Sequence, residues 1–291
     1  MAKPDLDLDG IEDAGLARSL KGLHAAMKAN PRPEAPPPES NVVQLPLWAQ
    51  AAPGAPNPAL RGALFPAIQG KDRQMLNDVL VASVEGQQIK VKGEQLNQED
   101  LEVWLAVLNL CRSHPLGDIC HSSAHALLRA MDRGTGNTQH RQLDASLMRL
   151  AQPVQIKGSR YSYVGGLVME VVKDERDRHY LIQVNPKLAH LFGQEGWTKL
   201  DTATRRQLRG KPLALWLQAH YATHREPFPY SVTKLRDLSG SRTKDLKAFR
   251  QNLRQALPEL QRVGAIWGWE IDARDLVHVY KVPTVIQHPG N

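Results

Sequence analysis

HREPFPYSVTKLRDLSGSRTKDLKAFRQNLRQALPELQRVG, residues 224–264, decides the fold. It predicts a short helix, a turn at Gly240 and a long basic helix. Within the long helix Leu246, Phe249, Leu253, Leu257 and Leu260 recur at helical spacing and make one apolar face. At about 100° per residue, Lys244, Lys247, Arg250, Gln251 and Arg254 fall on a different arc, roughly 120° wide. An ordinary solvated face mixes its signs, yet Asp245 and Glu259 are the only acids between residues 242 and 262. A helix apolar on one side and cationic on the other, behind a short helix and a tight turn, suits docking on phosphate and reaching a groove.

The charge supports that reading by its position. The chain has 291 residues and a net charge of +7, long enough for two modest domains plus flexible segments. Residues 1–58 hold five basic and seven acidic side chains, whereas residues 197–262 hold fourteen basic against five acidic. An excess concentrated in the carboxy-terminal third is what an electrostatic footprint for DNA looks like. Cys111 and Cys120 are too few for a disulfide scaffold. The amino terminus, MAKPDLDLDG, lacks the apolar stretch of a signal peptide, and no run approaches ~18 apolar residues. The expectation is a soluble, cytoplasmic protein with no membrane partner.

Residues 1–58 read as a disordered tail, with proline-rich NPRPEAPPPES at 30–40. Embedded in it is an apolar island, Val42-Val43-Gln44-Leu45-Pro46-Leu47-Trp48. Such an island is either a linear motif for a partner or an anchor folded back onto the body. From residue 61 the pattern predicts strands at 63–69, 80–84 and 88–92, then a helix at 98–112 capped by Asn97. Further helices are predicted at 123–131 and 138–150, then hairpin strands with basic tips at 154–157, 161–172 and 180–184.

The same order then repeats. A helical region at 202–222, broken near Gly210-Lys211-Pro212, precedes the Ser231-capped helix, the basic helix and strands at 265–271 and 276–282. Gly134 and Gly240, Leu143 and Phe249, Leu147 and Leu253 all superpose at an offset of 106 residues. The prediction is an α+β fold of two tandem winged-helix (helix-turn-helix plus β-hairpin) domains, 59–195 and 196–283, with a flexible end at 284–291.

Gln44-Leu45-Pro46-Leu47-Trp48, RGALFP at 61–66, HREPFP at 224–229 and the basic helix through Glu259-Leu260 together resemble the TrfA-type plasmid replication initiators over roughly residues 42–281. The amino-terminal extension of that family is not recognisable in residues 1–40. The resemblance implies an initiator that binds directly repeated origin sequences (iterons) and helps open an adjacent, then single-stranded, A+T-rich segment. It implies recruitment of the host initiator protein and the replicative helicase, and a monomer–dimer equilibrium. It also implies a sliding-clamp motif at Gln44, Leu45, Leu47 and Trp48, with Trp standing where the family has Phe.

The DNA-binding candidates follow from both readings. In the second domain they are Arg242, Lys244, Lys247, Arg250 and Arg254, with Gln251 suited to adenine. In the first they are Thr138, Arg141, Gln142 and Arg149, with Lys157, Arg160 and Tyr161 on the wing. Two recognition helices on one chain suit direct repeats better than palindromes. Other chemistries lack their residues. Cys111, Cys120, His121 and His125 do not have a zinc spacing, and neither a G-x-x-x-x-G-K-[ST] loop nor a His-x-His pair occurs. The expectation is a non-enzymatic protein with no metal and no cofactor. The alternative is a winged-helix transcriptional regulator bound to operator DNA.

Overall fold

The computed structural model describes residues 45, 46, 48–158, 162–194 and 196–281. The expectations for residues 1–44 and 282–291, and those for Gln44, Leu47, Arg160 and Tyr161, lie outside the described residues. The first half of the chain runs β1 (Gly54–Pro56), α1 (Asn57–Leu60), β2 (Met75–Val81), β3 (Gln88–Glu94), α2 (Gln98–Cys111), β4 (Ile119–Ser123) and α3 (Ala124–Ala130). It continues with α4 (Asn137–Leu150), β5 (Val154–Lys157), β6 (Ser162–Gly165), β7 (Val168–Asp174), β8 (His179–Val184) and α5 (Ala189–Gln194). Then come β9 (Trp197–Lys199), α6 (Thr202–Gln207), α7 (Pro212–Ala222), β10 (Tyr230–Ser231), α8 (Val232–Leu238), α9 (Leu246–Arg262), β11 (Gly268–Ile271) and β12 (Leu276–Tyr280).

Local signals set most helix starts. Asn97 accepts from the backbone of Glu99 and Asp100, and Asp100 accepts from the Asn97 N–H in return, closing a capping box on α2. Ser123 and Ser231 each end a short strand and cap the next helix, accepting from Ala126 N and Lys234 N, both at 3.1 Å. Asp201 caps α6 in the same way. The helix break near Gly210 is present, with Gly210 in the left-handed region at φ +81°.

The strands make mixed use of the chain. β4, β8 and β7 pair in that order, and β10, β12 and β11 pair in the same order. The repeat is therefore written in the sheets as well as in the helices. β2, β3, β5 and β6 form a separate four-stranded antiparallel sheet on the first half. That arrangement corrects the strand expected at 161–172. Its chain turns at Gly165-Gly166, so β6 and β7 belong to different sheets. A Cβ at Gly166 would lie 2.5 Å from Val168 O and 2.6 Å from Ala151 O, which only glycine avoids.

Two apolar cores result. One gathers α2, α3, α4 and the first sheets; the other gathers α7, α8, α9 and β12. Leu143 and Leu147 fill the first and Phe249 and Leu253 the second, as the offset of 106 requires. The glycine echo fails, however. Gly240 is left-handed at φ +59°, but in the first turn that role falls to Asp132 at φ +53°, not Gly134. Residues 63–69 are not a strand; Leu64, Phe65 and Ile68 are buried as irregular chain.

The disordered tail expected over 1–58 is corrected for residues 48–58. Leu45 and Trp48 are buried in the first core, β1 pairs with β9, and α1 is wholly buried. Trp48 stacks on Phe192 at 6.1 Å, tilts against Trp197 at 5.5 Å and donates its Nε1 hydrogen to Asn109 Oδ1 at 3.2 Å. An indole with a satisfied N–H and two aromatic neighbours outweighs the local polarity that reads as disorder.

The HREPFP segment leaves α7 over a buried aromatic cluster. His220 stacks on Trp216 at 4.7 Å and meets Tyr230 edge-on, and neither ring nitrogen has a hydrogen-bond partner among the described residues. Burial, with smaller contributions from His224 and Arg61, pushes its imidazole down to about 3. Unfolded histidine titrates near 6.5, so on acidification the unfolded chain takes up this proton first. Stability from this site is full above about pH 6.5 and is lost as pH falls towards 3. His220→Phe is expected to lose about 2 kcal/mol less than the native chain between pH 7 and 5. Equal losses in urea denaturation at the two pH values would remove His220 as the acid-sensitive group.

Candidate nucleic-acid interface

α9 is placed by its cap and by its apolar face. Asp245 accepts from Lys247 N and Ala248 N, both at 3.1 Å, and Phe249, Leu253, Leu257 and Leu260 are fully buried. Burying that face turns Lys244, Lys247, Gln251 and Arg254 outward, and all four are exposed. Among the described residues no carboxylate oxygen lies within 4 Å of the Lys244 or Lys247 ammonium or the Arg254 guanidinium. Their charge is left uncompensated at the surface.

Two of the expected contacts are engaged within the fold. Arg250 is half-buried and ion-pairs with Asp275 in the β11–β12 turn, its Nε 2.9 Å from Oδ1. The Asp275 hydrogen bond raises the Arg250 guanidinium above its usual range. The same position in the first half, 106 residues earlier, is Asp144, which holds Lys173 Nζ at 2.9 Å and the Tyr180 hydroxyl. Each long helix is thus braced to its hairpin by an ion pair of opposite polarity. Arg242 is exposed and donates to Gln95 Oε1 at 2.7 Å.

On α4, Thr138, Arg141 and Gln142 are exposed, matching the outward face expected of them. Arg149 is corrected: it is buried, with Nε and Nη2 3.1 and 2.9 Å from Asp100 Oδ1 and Nη1 3.3 Å from Glu94 Oε2. A guanidinium committed to two carboxylates inside the first core does not face solvent. Lys157 is exposed but ends β5 in the four-stranded sheet, so it does not sit on the hairpin packed against α4.

The hairpin that does pack there is β7–β8, and its turn is built like that of β11–β12. Asp174 accepts from Arg176 N at 2.8 Å and Asp272 from Arg274 N at 2.8 Å. Those backbone bonds hold both carboxyls below the usual range, led by the Asp177 N–H for Asp174 and the Leu276 N–H for Asp272. Arg176 and Arg274 stand exposed at the tips. Sequence reasoning passed over both, although the shared spacing Asp-x-Arg (DER at 174–176, DAR at 272–274) marks them.

The described residues contain no group of three or more His, Cys, Asp or Glu able to hold a metal ion, and no helix long and apolar enough to cross a membrane. Cys111 and Cys120 are both free and buried in the first core.

The chain is 23% identical over 241 residues to the plasmid replication initiator protein TrfA of Escherichia coli, covering 79% of this chain and 62% of that protein. The chain therefore spans less than two thirds of the length of that curated relative. Domains 2 and 3 of RctB align at 12% identity over 70% of this chain and 86% of that one, with a TM-score of 0.49. The Pi initiator protein, solved in complex with iteron DNA, aligns at 14% identity over 64% of this chain and 92% of that one. Its TM-score of 0.50 is a likeness of fold. A family model for TrfA protein matches residues 39–281, and the chain belongs to that family.

Proposed function

We propose that the chain initiates plasmid replication by binding directly repeated origin DNA, with each half acting as a winged-helix module. The observation that carries the reading is the outward face of α9, where Lys244, Lys247 and Arg254 stand exposed with no ion-pair partner among the described residues. A capped helix with uncompensated cations and a glutamine suits phosphate contacts plus base edges in a major groove. The matching topology β4-β8-β7 and β10-β12-β11 supports two readers on one chain. Membership of the TrfA family, with a relative named as a plasmid replication initiator, favours initiation over transcriptional regulation.

In this reading the bound protein opens an A+T-rich segment and recruits the host initiator and helicase, acting in the cytoplasm without catalysis of its own. Sliding-clamp capture through residues 44–48 belongs to the same reading, with one condition. Leu45 and Trp48 are buried, so the segment must leave the core to be gripped. The test places the gene and its flanking DNA on a plasmid lacking an origin. Colonies are expected. Their absence, together with repression of an adjacent promoter, would replace initiation by regulation.

A further inference from the structure

The turns that precede α4 and α9 are each held by residues from elsewhere in the chain. Arg209 donates from Nη1 to Asp132 O at 2.9 Å and from Nη2 to Met131 O at 2.6 Å, on the turn between α3 and α4. Arg206 reaches Ala130 O at 3.5 Å, on the last residue of α3. Both arginines stand on or just after α6, the connector that leads into the second core. The turn between α8 and α9 is held in the reverse sense. Ser239 O accepts from Ala67 N at 2.7 Å, and Arg242 donates to Gln95 Oε1 at 2.7 Å. Gly240 lies so close to residues 63–66 that a Cβ there would sit 2.6 Å from Pro66 Cβ.

Between these two ties lies a third. Arg205 is fully buried and donates to Gln98 Oε1 at 3.1 Å, to Gln218 Oε1 at 2.8 Å and to Leu215 O at 3.2 Å, and it pairs with Glu102. One guanidinium therefore joins α2 of the first core to α7 of the second. Charged hydrogen bonds made inside protein, with no water to substitute for them, resist small rotations. Because two of the ties end at the turns and the third joins the two cores behind them, the amino-terminal ends of α4 and α9 are fixed relative to each other.

We infer that these ties set the base-pair spacing at which the chain reads a repeat, with Arg206 and Arg209 as positioning residues. The inference rests on the DNA-binding reading above. One inserted base pair turns the far half of a duplex by about 34° and moves it by about 3.4 Å. A jointed reader would absorb that; a welded one loses the contacts of one helix.

The experiment uses the full chain and a duplex repeat selected by it from a randomised pool, compared with the same duplex carrying one inserted central base pair. The native chain is expected to bind the inserted duplex about tenfold or more weakly, the scale of a mismatched base pair. R206Q/R209Q is expected to shrink that ratio at least about threefold while leaving the slope of log K against log salt unchanged. Gln95→Ala, which frees Arg242 from its tie without altering a cation, is expected to shrink it too and stands in if the double variant melts early. An unchanged ratio in the folded variants, or a native chain indifferent to the insertion, would overturn the inference. A slope lowered by about one unit per arginine would make Arg206 and Arg209 phosphate contacts and overturn it as well. If no repeat is selected at all, the DNA-binding reading falls first and this inference with it.

Discussion

Arg149→Ala is expected to lower the stability of the folded chain by about 3–5 kcal/mol, the cost of stranding a buried charge. The stranded group is Asp100, which is fully buried. Its Oδ1 takes two hydrogen bonds from Arg149; its Oδ2 takes one from Asn97 N at 2.9 Å and one from Arg73 Nη2 at 3.1 Å. Asp100 is thus both a lid on the first turn of α2 and the counter-ion of α4. Removing Arg149 uncouples two helices and leaves a buried carboxylate with two of its four hydrogen bonds, those from Asn97 N and Arg73. Chemical denaturation read by tryptophan fluorescence measures the loss. A variant as stable as the native chain but unable to bind DNA would return Arg149 to the interface.

The converse is expected of the α9 face. Replacing Lys244, Lys247 and Arg254 together by glutamine is expected to weaken DNA binding by about two orders of magnitude near physiological salt. The slope of log K against log salt should fall by roughly 0.9 per lost contact, close to three units in all. Stability should change by no more than about 0.5 kcal/mol per site, because all three side chains are exposed. A salt slope equal to that of the native chain would take α9 off the duplex. The pair of experiments separates an arginine that builds the fold from cations that the fold merely presents.

The difference between those two sets shows where sequence reasoning stops. The caps at Asn97 and Ser231 and the apolar stripe of α9 were legible because each depends on residues within one or two turns. Arg149 was misread because a helical arc cannot reveal a carboxylate 49 residues away. The split of 161–172 between two sheets was hidden for the same reason, since pairing of β5 with β3 and of β7 with β8 decides it. Residues 63–69 carry the short apolar run of a buried strand, yet they lie against the turn at Gly240, joined by Ala67 N to Ser239 O. Burial there comes from two cores meeting, which no local period encodes.

The placement of Trp48 has a thermodynamic consequence for any partner that grips residues 44–48. One indole cannot fill two pockets, so the fold behaves as a competitor tethered to its own ligand. A docked tryptophan worth about 3 kcal/mol would weaken outside capture by roughly 150-fold. Drawing it out also costs more than one side chain, because Thr202 N bonds to Ala51 O at 2.9 Å and β1 is paired with β9. Those pairings hold the stretch that runs from the first core into α6 and its arginines. A captured molecule would therefore be a loosened one, and affinity for such a partner would be set as much by how firmly the chain holds itself as by the partner.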